Sequence, residues 1–354
     1  MKKLPSLAPS LAFLLMASFL AAGAMPAAAQ QPVRLSFLNA PFPGEPIRRP
    51  PTLGLSIGGP VHSAVMDTGS TGIVVSATSI AGFDALPQLG PGELTYTSSG
   101  RVMRGVYVET PVTIVGADGA SITTRPIRIL AVTRIDCLES ARDCRPIDAP
   151  RRVSMLGIGF ARSHDHQPGA GPARNPFLNL PGMGDAGGPG RLRRGYIVDR
   201  EGVQVGLGEG DRAAFARVKL ARDGAAGDWA AAPVCIGLED RTPDACGTML
   251  LDTGVSTMYL SLPSAQTDGL ETYDMRGDSV LADGVRVRVR PGPDAPAPDY
   301  GFIVGDRREG VVPEKVIVVG RGERPTFINT TVRALNAFDY LFDQDAGEVG
   351  FRRR

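Results

Sequence analysis

Two stretches decide how this chain is read: Val65-Met66-Asp67-Thr68-Gly69-Ser70-Thr71-Gly72 and Leu250-Leu251-Asp252-Thr253-Gly254-Val255-Ser256-Thr257. In each, an apolar run leads into Asp-Thr-Gly and a hydroxyl-rich turn leads out, and the two aspartates stand 185 positions apart. One Asp-Thr-Gly triplet is expected by chance roughly 0.07 times in a chain of this length at average composition. Two copies in the same context point to internal duplication.

Elementary acid–base chemistry gives the repeated motif a purpose. Two carboxylates brought within hydrogen-bond reach cannot both ionise cheaply, so they share one proton and leave one group as base and the other as acid. Such a pair can take a proton from water while protonating a carbonyl oxygen, without a metal. Glycine after Asp-Thr lets backbone N–H groups approach the carboxylate, and the threonine hydroxyls can tie one loop to the other. A single Asp-Thr-Gly reads equally well as a turn after a strand.

Outward from these motifs, the chain reads as all-β. Gly and Pro, 44 and 30 of 354 residues, make about a fifth of it, a turn-rich composition that favours many short strands. Strands are expected at Val33 to Leu38, Leu53 to Ile57, Ser63 to Met66, Gly72 to Ser76, Leu94 to Thr97, Gly105 to Val115, Ile127 to Val132 and Val153 to Phe160. A second set runs through Tyr196 to Val198, Val203 to Leu207, Ala216 to Leu220, Ala230 to Gly237 and Gly247 to Asp252. The alternation Val285-Arg286-Val287-Arg288-Val289-Arg290 predicts a half-buried strand with valines on one face. Residues 161–195, rich in Gly and Pro, read as a surface excursion, with the basic run Arg191 to Arg194 as a solvated loop. Val332 to Ala337 predicts a short helix, and Tyr340 to Asp343 with Glu348 to Phe351 a hairpin about Asp345-Ala346-Gly347.

Residues 1–29 read as a secretory signal: Lys2 and Lys3, an apolar run from Leu11 to Ala22, then Ala27-Ala28-Ala29 for cleavage. A membrane anchor is the other reading, but the run falls short of the ~20 residues a span needs. Export favours disulfides, and of three possible connectivities the spacing favours Cys137 with Cys144 and Cys235 with Cys246. Neither pattern resembles a metal site. With only His62, His164 and His166, and neither H-E-x-x-H nor G-x-S-x-G, zinc-hydrolase and serine-triad chemistry are poorly supplied. The formal charge is +1, about −1 without Lys2 and Lys3, so no large field draws the chain to nucleic acid or anionic lipid.

On these motifs the sequence resembles the pepsin-type, two-lobed aspartic proteases over most of its mature length. The resemblance implies two β-rich lobes, 30–205 and 206–354, about a cleft that takes an extended peptide, with Asp67 and Asp252 catalytic and no cofactor. Thr68 and Thr253 match the threonines that cross-link the active-site loops, with Gly69, Ser70, Gly254 and Ser256 supporting them. Leu94-Thr95-Tyr96-Thr97-Ser98-Ser99-Gly100 resembles the flap hairpin, making Tyr96 its substrate-covering tyrosine. Ser154-Met155-Leu156-Gly157-Ile158-Gly159 resembles the segment threading behind the first loop, and Cys246 falls where a family disulfide is common. The ending, Phe342-Asp343 through Val349-Gly350-Phe351, resembles the last hairpin.

Departures are equally specific. Val255 replaces the hydroxyl found at Ser70, which removes a donor to the second carboxylate and predicts a pH optimum above that of gastric pepsins. Val74 stands where many members have the tryptophan that holds the flap tyrosine, and the spacing from Asp67 to Tyr96 is short. Thr330-Thr331 occupies the place of the glycine behind Asp252. Only 37 positions separate Gln30 from Asp67, an expectation of export without an inhibitory prosegment. The expected protein is a monomeric endopeptidase, periplasmic or secreted, acting on peptides or proteins. Two alternatives stay open: a peptide-binding or inhibitor protein that kept the fold without turnover, and a single-lobed enzyme that dimerises.

Overall fold

A computed structural model describes Met1 and residues 31–354 except 98, 142, 166, 185–189, 224–226, 293–296 and 321–323. The proposed signal segment, Ser98 of the hairpin turn and His166 therefore lie outside the described residues. The chain opens with β1 (Val33–Ser36) and then lays down β2 (Thr52–Ser56), β3 (His62–Asp67), β4 (Thr71–Ser76), β5 (Gln88–Tyr96), β6 (Arg101–Thr110), β7 (Thr113–Val115), β8 (Ser121–Thr123), β9 (Ile127–Cys137), the short β10 (Ile147–Asp148) and β11 (Ser154–Ile158). Next come β12 (Arg193–Val198), β13 (Gly202–Leu207), β14 (Ala216–Lys219) and a small pair, β15 (Arg222–Asp223) with β16 (Asp228–Trp229). The last part holds β17 (Ala232–Leu238), β18 (Ala245–Leu250), β19 (Met258–Ser261), β20 (Glu271–Tyr273), β21 (Ser279–Leu281), β22 (Arg286–Pro291), β23 (Tyr300–Ile303), β24 (Val316–Val318), β25 (Phe327–Asn329), β26 (Phe338–Asp343) and β27 (Glu348–Arg353). Helical turns are few and short, so the all-β expectation holds.

Sheet order exposes the duplication. One sheet runs β5-β6-β9-β4-β11-β3-β2-β7-β8, with β10 beside β9, and another runs β20-β21-β24-β19-β25-β18-β17-β22-β23. Replacing each strand of the first by its counterpart in chain order, β2 by β17 through β11 by β25, reproduces the second. The directions repeat as well. In the first sheet β11 is parallel to β3 and antiparallel to β4, and in the second β25 is parallel to β18 and antiparallel to β19. A six-stranded sheet, β1-β13-β12-β26-β27-β14, combines the start, middle and end of the chain. Position 205, the expected boundary, lies within β13.

Burial explains the strand pattern. Val287 and Val289 of β22 are fully buried, while Arg286, Arg288 and Arg290 face outward and pair with Glu239 and Asp244. The six-stranded sheet contributes Tyr196, Phe338, Phe342 and Phe351, with Phe160 stacked on Phe342 at 4.4 Å. Among the described residues no helix is long and apolar enough to cross a membrane. Both expected local disulfides, Cys137–Cys144 and Cys235–Cys246, are formed; the second joins directly opposed residues of β17 and β18.

Two expectations need correction. Residues 161–195 are not simply a surface excursion, because Phe177, Leu178, Leu180 and Leu192 are buried in the main core. Nor is the end of the basic run a solvated loop: Arg193 and Arg194 begin β12, where they pair with Asp343 and Asp345. The apolar residues are spaced among Gly and Pro too irregularly to show a period, and the arginine partners lie some 150 positions away.

Candidate active site

Each aspartate is set by the same local device. Asp67 ends β3 and Asp252 follows β18, so both stand where a strand gives way to the turn before the next. The Gly69 N–H donates to Asp67 Oδ1 at 2.6 Å, and the Gly254 N–H donates to Asp252 Oδ1 at 2.8 Å. Both glycines are also required by the opposite loop. A Cβ on Gly69 would lie 2.4 Å from Asp252 Cγ, and one on Gly254 would lie 2.6 Å from Asp67 Oδ1. The two carboxyls thus sit against each other's turns, within mutual hydrogen-bond reach.

Reciprocal threonines lock that arrangement. Thr68 Oγ1 donates to the Leu251 carbonyl at 2.5 Å and accepts the Thr253 N–H at 2.9 Å. Thr253 Oγ1 donates to the Met66 carbonyl at 2.7 Å and accepts the Thr68 N–H at 3.1 Å. Both side chains are buried, so the four bonds have no competing water.

The outer carboxylate oxygens are supported differently. Ser70 Oγ donates to Asp67 Oδ2 at 2.5 Å. For Asp252 the equivalent donor is Asn329, whose Nδ2 lies 2.6 Å from Oδ2. This overturns the expectation that Val255 leaves Asp252 one donor short, and with it the basis for predicting a less acidic optimum from that loss. In the second loop the Ser256 carbonyl accepts the Glu314 N–H at 3.0 Å. The sequence matches no protein-family model and no curated protein.

Electrostatics follow from burial. Asp252 holds its proton well above the usual carboxyl range, first because it is buried and second because Asp67 is adjacent; the Asn329 amide and Gly254 N–H oppose the rise. Tyr96, the last residue of β5, packs its ring against the cluster of Val74, Leu94 and Met103. Its hydroxyl is buried beside Ser70 without a hydrogen bond of good geometry, and burial, then the charge of Asp67, makes it harder to ionise. Tyr96 is thus brought to the first loop although position 74 is valine.

The segment behind each loop also differs between the repeats. Gly157 lies opposite Asp67, and a Cβ there would be 2.8 Å from Ser70 Oγ. In the second repeat Asn329 pairs with Leu250, so Thr331 comes level with Asp252, as the sequence led us to expect. Thr331 adopts φ +68°, a left-handed conformation favoured by glycine. Its hydroxyl accepts the Arg333 N–H at 3.2 Å.

Sequence reasoning missed Asn329 and Gln167. Gln167 is buried; its Oε1 accepts the Thr71 N–H at 3.0 Å, and its Nε2 donates to the Gly69 carbonyl at 3.3 Å. Neither residue belongs to a local motif. The only usable signal was a polar residue, Asn329, ending an apolar strand.

Proposed function

We propose that this chain is an aspartic-type endopeptidase of the pepsin-like kind, two-lobed and monomeric, exported to the periplasm or beyond, with peptides or proteins as substrate. The observation that carries this reading is the buried contact of Asp67 with Asp252, held by matching turns and crossed threonines. A water between the carboxyls gives a proton to the ionised aspartate as its oxygen attacks the peptide carbonyl, while the protonated aspartate gives its proton to the carbonyl oxygen. The aspartate that took the water's proton then passes it to the peptide nitrogen, and the C–N bond breaks to release the amine as a hydroxyl of the intermediate returns its proton to the other aspartate. No covalent intermediate and no cofactor enter this scheme. The β5–β6 hairpin with Tyr96 serves as the flap over the substrate.

The test is hydrolysis of an unfolded protein by the mature chain from pH 3 to 7, with and without pepstatin. Cleavage abolished by pepstatin is expected. A folded monomer that binds peptides but cleaves none at any pH would replace this reading with a binding protein.

A further inference from the structure

The second aspartate is held by a different chemical group from the first. Asn329 is the last residue of β25, held between Leu250 of β18 and Tyr259 of β19, so its backbone is fixed on both sides. Its amide is fixed as well. Oδ1 accepts the Thr331 N–H at 3.2 Å, while Nδ2 lies 2.6 Å from Asp252 Oδ2. Turning the amide over would set NH₂ against the Thr331 N–H, so that contact fixes its orientation.

An amide NH₂ only donates, whereas a hydroxyl donates or accepts. Ser70 can give its proton to Asp67 Oδ2 or, after rotation, receive one from it. Asn329 allows Asp252 Oδ2 no such choice. We propose that Asn329 is a positioning residue of the dyad: it replaces the loop hydroxyl absent at Val255 and donates to Asp252 Oδ2, so that Asp252, like Asp67, is held by one backbone N–H and one side-chain donor.

This inference rests on the peptidase reading, and its test separates the two. Asp ¹³Cγ-labelled wild type, Asn329→Leu, Val255→Ser and Asn329→Leu/Val255→Ser proteins are titrated by NMR, a readout that needs no turnover, and are assayed for kcat and KM against pH. Removing a donor to an anion raises proton affinity, so Asn329→Leu should move the titration of the carboxyl pair up by about one pH unit. Its kcat should fall by about tenfold or more with KM little changed. Val255→Ser alone should move the titration down, and in the double variant it should restore most of both properties. An unmoved titration in folded Asn329→Leu overturns the inference, as does a shift in Val255→Ser toward higher pH. Wild type and variants that titrate as described but cleave nothing overturn the peptidase reading and leave the positioning role of Asn329 standing.

Discussion

Replacing Thr253 by valine tests the crossed threonines at nearly constant volume. The hydroxyl lost is fully buried, donates to the Met66 carbonyl at 2.7 Å and accepts the Thr68 N–H at 3.1 Å. Valine fills the same space, so no cavity contributes, and the effect comes from one buried acceptor and one buried donor left without these partners. Each such loss costs about 1–3 kcal/mol, so Thr253→Val should destabilise the protein by roughly 2–6 kcal/mol. Thr68→Val should cost a similar amount, since it removes the bonds to Leu251 and to the Thr253 N–H. Because both substitutions break one cross-link, the double variant should lose less than the sum, with a coupling of about 0.5–3 kcal/mol. Urea unfolding of wild type, both single variants and the double variant at one pH measures all four corners. A Thr253→Val protein within about 0.5 kcal/mol of wild type, or strictly additive costs, would refute the reasoning.

Three further outcomes follow from the same geometry. The carboxyl of Asp252 takes up its proton more readily in the folded state than in the unfolded chain. The stability this contributes is full below the ordinary carboxyl range and is lost as pH rises through the raised folded value. Asp252→Asn should therefore be more stable than wild type at pH 7, by more than about 1 kcal/mol, with the gap closing toward pH 4 in thermal unfolding. Gly69→Ala places a methyl 2.4 Å from Asp252 Cγ, so the carboxyls must separate; activity should drop at least about 100-fold while the circular dichroism spectrum is kept. Gly347 turns between β26 and β27 at φ +63°, and a Cβ there would meet the Trp229 ring at 2.3 Å, so Gly347→Ala should cost about 1–3 kcal/mol in urea unfolding.

What the sequence made legible was local. Asp-Thr-Gly is a contiguous motif and survives in both repeats, so Asp67, Asp252 and the threonines were identifiable without coordinates. The alternating valines and arginines of β22 were equally plain because their period is that of a strand. Strands β20, β21, β23, β24 and β25 escaped notice, being three or four residues long and set among Gly, Asp and Pro. Asn329 was invisible for a different reason. Its bond to Asp252 spans 77 positions and depends on the parallel register of β25 with β18, which no local pattern encodes. Val255 read alone suggested a missing donor, although the fold supplies that donor from another strand.

The central claim is that Asp67 and Asp252 act as one acid–base pair. Its most direct test is the cleavage of an unfolded protein by Asp67→Asn and Asp252→Asn, each keeping the shape of the carboxyl while removing its proton chemistry. Each variant is predicted to lose at least about 10³-fold in kcat while remaining folded and monomeric. Wild-type rates in either folded variant would contradict the account.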